Sequence, residues 1–229
     1  MKKALLLLSW LGSLPVLAQT PTPQFKVQVV DNQIAIGYGL AIGDVDGDKK
    51  LDILLADQKD IVWYRNDGSS GPWKRHVMAT NLTPKDNVCI AARDIDGDGR
   101  VEVAVGAMWN PAETKDLTQS GAVFYLIRPK DATQLWEPVQ LHHEITTHRM
   151  RWTQVSKNKY QLIVVPLHGL GNANGEGTGV KILAYDVPKN PKQPWSYQLM
   201  DSTLHITHNF EIWEDTDATK VLISSKEGG

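Results

Sequence analysis

Two nine-residue stretches carry the residue types best suited to binding a cation. Asp44-Val45-Asp46-Gly47-Asp48-Lys49-Lys50-Leu51-Asp52 has carboxylates at its first, third, fifth and ninth positions and the carbonyl of Lys50 at its seventh. Asp94-Ile95-Asp96-Gly97-Asp98-Gly99-Arg100-Val101-Glu102 repeats the pattern, with the carbonyl of Arg100 and the carboxylate of Glu102 in the last two roles. Groups in this alternation converge on one point as a hard, all-oxygen shell, which suits calcium. Gly47 permits the sharp turn that folds the ligands inward. Without a cation, carboxylates about 4 Å apart repel by roughly 4 kcal/mol at an effective dielectric near 20. The expectation is therefore two structural calcium ions; the plainer alternative is a solvated acidic turn. These are not EF-hands, because Leu55 and Val105 stand where a twelfth-position Glu would be. Later copies have lost the ligands: Thr153, Val155 and Lys157 fill one set of positions. Glu214-Asp215-Thr216-Asp217 is a shortened version, with Lys220 near the ninth position, where an ammonium group can stand in for an ion.

A second set of residues is basic. His148, Arg149 and Arg151 share one segment, and His168 and His208 lie in two others. Neutral imidazole can ligate a transition metal such as zinc or act as a base near neutral pH, and Arg can stabilise an enolate-like transition state. Loss of water from a keto sugar by β-elimination needs a base, an electrophile and an acid for the leaving hydroxyl; Glu211 and Glu227 are the candidate acids. Taken singly, each His reads better as a loop or packing residue. Trp109 can stack on a sugar ring or cover core. The Gly-rich run Gly169 to Gly177 leads into a strand and offers no helix N-terminus for a phosphate, so it reads as a flexible rim loop.

The elements that position these groups repeat. Asp44 and Asp94 begin loops 50 residues apart (94 − 44). Short apolar stretches precede the loops (38–42, 88–92), and β-branched, alternating ones follow (51–56, 101–106), a strand pattern. Further strands are expected at 61–65, 122–127 and 180–185. Trp73, Trp136 and Trp195 each open one more, and Phe25 to Val30 fits the same pattern as an outermost strand. Four strands per unit of roughly 50–60 residues is a propeller blade. The fold class is thus all-β, a β-propeller of four-stranded blades. The chain supplies about three and a half blades, ending on two strands at 204–213 and 220–225, as the N-terminal part of an expected seven-bladed ring that further C-terminal blades complete. This connectivity puts the acidic loops at one end of the disc and six of the seven histidines at the other, leaving only His76 within an outer strand.

Residues 1–18 read as an export signal, with basic Lys2-Lys3, an apolar run and Val16-Leu17-Ala18 as a cleavage site, and 19–229 as the propeller. A periplasmic or extracellular location follows, with no membrane span. The 24 basic and 26 acidic residues give no electrostatic grip for nucleic acid. Cys89, alone, reads as buried and inert.

The Asp-x-Asp-Gly-Asp loop between strands resembles the FG-GAP and VCBS repeats of integrin-type β-propellers. The segments Thr147-His148-Arg149-Met150-Arg151-Trp152, Pro166-Leu167-His168-Gly169 and His205 to Glu211 resemble, more weakly, bacterial propellers similar to the propeller part of aldos-2-ulose dehydratase. That resemblance implies a metal-dependent sugar dehydratase, a carbon–oxygen lyase, although no segment resembles that enzyme's cupin domains. The rival expectation is a non-catalytic carbohydrate- or protein-binding module of the adhesion type.

Overall fold

A computed structural model describes residues 22–215 and 218–229; the export signal expected at residues 1–18 lies outside them. Fourteen strands form in chain order: β1 (Gly39–Gly43), β2 (Asp52–Ala56), β3 (Asp60–Arg65), β4 (Lys74–Thr80), β5 (Cys89–Arg93), β6 (Glu102–Ala107), β7 (Ala122–Ile127), β8 (Glu137–Leu141), β9 (Thr147–Ser156), β10 (Lys159–Pro166), β11 (Ile182–Asp186), β12 (Tyr197–Asp201), β13 (Thr207–Glu214) and β14 (Thr219–Ser225). They make three four-stranded antiparallel meanders, β1–β4, β5–β8 and β9–β12, and a two-stranded sheet of β13 and β14. No helix occurs among the described residues, and so none is long and apolar enough to cross a membrane. The sheets are blades, and the ring they belong to is open.

Alternation explains how the blades stack. In β5 and β6, Ile90, Val103 and Val105 face the first blade, packing with Leu54, Ile61 and Trp63. Their neighbours Cys89, Ala91 and Ala104 face the third blade, with Met150, Trp152 and Leu162. In β10, Leu162 and Val164 point back to the second blade, while Ile163 and Val165 meet Phe210 of the fourth. A sheet covered on both faces needs apolar residues at every position, and β6 is buried along its whole length. The Trp expectations are explained by local anchoring: Trp136 Nε1 donates to the Ala132 carbonyl at 3.1 Å and Trp195 Nε1 to the Pro191 carbonyl at 3.0 Å.

One expected strand does not form. Residues 25–29 pair with no neighbour, and Phe25, Val27 and Val29 are exposed. The alternation is that of a strand, but a strand exists only when another edge takes up its N–H and C=O groups, and among the described residues none does. The segment is tied down only at its end, where the Tyr64 hydroxyl donates to Asp31 at 2.6 Å.

The innermost strands β1, β5, β9 and β13 pack in succession around the axis. Gly39 makes the first step possible: a Cβ there would lie 2.9 Å from the Cys89 Cα.

Candidate functional site

Each acidic loop folds on its own backbone. Asp44 accepts from Gly47 N–H and Lys49 N–H, both at 2.7 Å, and Asp94 accepts from Gly97 and Gly99 at 2.7 and 2.9 Å. Three carboxylates then lie with oxygens within 4.8 Å of one another: Asp44, Asp46 and Asp48 in the first loop, and Asp94, Asp96 and Glu102 in the second. The all-oxygen donor set fits a hard cation such as calcium.

The two loops therefore differ, which their sequences do not announce. Asp52 is buried and turned to the backbone, accepting from Val45 N–H at 2.9 Å and Asn66 N–H at 2.8 Å. In the second loop it is Asp98 that turns away, to Arg100 at 2.7 Å and Arg128 at 2.9 Å. Burial pushes the Asp52 carboxyl up to about 6 and that of Glu102 up to about 7. The side chains of Lys50 and Arg100, whose carbonyls the sequence nominates as ligands, pair with Asp48 and Asp98.

At the other end of the inner strands, β9 and β13 open with His148 and His208. Their rings meet edge to face, with centroids 4.7 Å apart. Trp109, two residues past β6, stacks on His148 at 4.9 Å and 15°. His148 is nearly fully buried, and its Nδ1 has no partner. Burial first, then the positive Arg149, lowers its pKa to about 3. His168 follows β10, its backbone held by the Thr146 hydroxyl at 2.8 Å, and its buried Nδ1 is likewise unpartnered. These two nitrogens are donors of the type a transition metal takes. The three imidazoles do not place three ligand atoms within 4.8 Å of one another; among the described residues only the acidic loops do that.

The arginines part company. Arg151 donates to Glu211 at 2.8 Å and to the Phe210 carbonyl at 3.1 Å. Arg149 donates from Nε to Asn209 at 3.2 Å and from Nη1 to the His148 carbonyl at 3.0 Å. Both line a cavity of about 200 Å³ on the axis, together with Tyr38, Cys89 and Asn209. Asn209 was not nominated by the sequence; its place beside His208 at the start of an inner strand is the signal that could have found it. Of the candidate acids, Glu211 is held by Arg151. Glu227 pairs with His205 at 2.5 Å, which pulls its pKa down to about 2, too low to deliver a proton near neutrality.

Two other histidines stack on aromatic rings, and the Nε2 of one of them, His76, is also buried without a partner. His142 stacks on Tyr197 at 4.4 Å and His76 on Trp63 at 4.7 Å. The Gly-rich rim loop is pinned rather than free. Thr114 donates to the Asn172 carbonyl at 2.8 Å and accepts, at its own carbonyl, from Gly171 at 2.6 Å, while Lys226 reaches the Gly175 carbonyl at 2.9 Å.

Residues 44–105, which span both acidic loops and the strands β2 to β5, match the family model described as an FG-GAP-like repeat. This segment is an FG-GAP-like repeat set in the blades of a β-propeller fold. No curated protein matches it. The match ends before β9, so it covers the acidic loops and none of the basic cluster.

Proposed function

We propose that this FG-GAP propeller is a secreted, calcium-stabilised protein that acts on carbohydrate as a metal-assisted lyase or dehydratase. Its site is the end of the disc holding His148, His168, His208, Arg149 and Arg151. The observation that carries the reading is the pair of buried imidazole nitrogens on His148 and His168 that no protein group satisfies. Buried polar atoms are ordinarily paired, so such exceptions point to an external partner. Calcium at the acidic loops would be held by Asp44, Asp46 and Asp48, and by Asp94, Asp96 and Glu102.

In an elimination, a base removes the proton beside the substrate carbonyl, a carbon–carbon double bond forms, and hydroxide leaves with a proton as water. His208, the exposed imidazole of the cluster, is the group placed to accept that proton, and Arg149, bonded to the neighbouring Asn209, would balance negative charge on the carbonyl oxygen. A bound zinc-like ion would supply Lewis-acid polarisation of that carbonyl. Two imidazoles fall one short of the three protein ligands that catalytic zinc takes, so the steps assigned above belong to the chain alone.

A second reading is favoured by that same shortfall: a non-catalytic module binding carbohydrate or protein. Metal analysis of the full chain separates them. One transition-metal equivalent lost on His148→Ala and His168→Ala, together with dehydration of a keto sugar, is the expected result. Calcium alone, with no turnover, would leave the binding module.

A further inference from the structure

Arg149 stands apart from every other arginine in the chain. Arg65, Arg75, Arg93, Arg100, Arg128 and Arg151 each have a carboxylate between 2.5 and 2.9 Å away. Arg149 has none, and its two hydrogen bonds go to neutral acceptors, the Asn209 amide and the His148 carbonyl. Those bonds occupy Nε and one Nη1 proton. Nη2 and the second Nη1 proton have no partner among the described residues, and Arg149 lines the cavity. Asn209 turns its Oδ1 to the arginine, which leaves its amide N–H groups for a second contact. No carboxylate lines this cavity. Glu211, the nearest acid along β13, is committed to Arg151.

A half-buried guanidinium without a counter-ion is a site short of one negative charge. Two parallel N–H groups match the two oxygens of a carboxylate. A phosphate would bring nearly a second negative charge, and nothing free remains to balance it. Arg151 is taken, and burial keeps His148 uncharged near neutral pH. We infer that Arg149 anchors a carboxylate-bearing sugar, so that the ligand class of this site is a uronic or other sugar acid. The inference rests on the reading that this end of the disc takes carbohydrate. It differs from that reading in its test, which is binding and not turnover.

The experiment is equilibrium titration of the full chain, in calcium-containing buffer, with glucuronate, glucose and glucose 6-phosphate. Glucuronate is expected to bind at least about tenfold more tightly than either of the others. Arg149→Gln is expected to weaken it about tenfold to a hundredfold, the range for losing a charged hydrogen bond, and Arg149→Lys to keep part of the affinity. Should either variant fail to fold, the salt dependence of wild-type binding decides: glucuronate affinity must fall with ionic strength. Equal binding of glucose, tighter binding of the phosphate, no binding of glucuronate, or salt-independent binding would each overturn the assignment. Glucuronate bound without elimination would uphold it and remove the lyase reading. A neutral keto sugar eliminated with no preference for a carboxylate would do the reverse.

Discussion

Arg93 and Glu214 join the innermost strands of the second and fourth blades across 121 residues of chain, through two N–H···O contacts of 2.5 and 2.9 Å. The same carboxylate accepts the Gln154 N–H of the third blade at 2.8 Å, and the Arg93 guanidinium lies 4.9 Å over the Tyr160 ring. One acid thus fastens three blades.

Replacing it tests that fastening. Glu214→Gln keeps the shape and removes the charge. Because both side chains are about one-third exposed, the expected cost is only about 1 kcal/mol, or about 2–4 °C in thermal midpoint for a chain of this size. Arg93 lowers the Glu214 pKa, so this stabilisation is present above the carboxyl's unfolded value and is lost as pH falls through the folded one. The difference between variant and wild type should close in acid; a constant gap in pH-dependent melts would refute it.

The second acidic loop gives a prediction with two signs. Glu102 is buried, with its carboxyl pushed up to about 7 by that burial. In chelator, the charge on Glu102 opposes folding as pH rises from its unfolded value through 7, so Glu102→Gln should leave the melting temperature unchanged or raise it. In millimolar calcium the order should invert, because the variant has lost a ligand while the wild type gains binding energy. A fluorescence melt in each buffer is enough, and the same order in both would count against calcium at this loop.

Trp109 covers His148, and removing it should show in titration. Burial holds the imidazole pKa near 3. Trp109→Ala should raise it toward the ordinary value of about 6.5, read by proton NMR of the ring. The sign for stability follows. With its folded pKa depressed, His148 favours folding above about pH 6.5, and this is lost as pH falls toward 3. The variant, though less stable overall by about 2–4 kcal/mol for the lost aromatic, should lose less on acidification.

Gly39 reports on the axis. A methyl group there would meet the Cys89 backbone at 2.9 Å, so Gly39→Ala should cost about 1–3 kcal/mol by pushing β1 off β5. Denaturant titration measures it. An unaffected midpoint would mean that the first inner strand yields easily.

The strands were readable because their signal is local: period-two apolar residues, β-branched runs and Trp at fixed offsets. The acidic loops were readable for the same reason. Phe25 to Val30 misled, because its alternation is correct for a strand while pairing depends on an edge elsewhere. The exchange of roles between Asp98 and Glu102 was hidden too, since it depends on Arg128, brought in from just past β7. Among the basic residues, composition nominated His148, His168, His208 and the two arginines. Only packing distinguished Arg149 from Arg151, and only packing set Trp109 on His148.

The division of the blades into two ends has an electrostatic consequence. An inner strand such as β5 is five residues long, about 17 Å at roughly 3.3 Å per residue. That exceeds the screening length of about 8 Å in physiological salt. A divalent charge arriving at one rim would therefore be largely screened from the exposed His208 at the other, and less so from the buried His148. Exposed groups at the two rims can thus change charge with little effect on each other, although the same strands carry both.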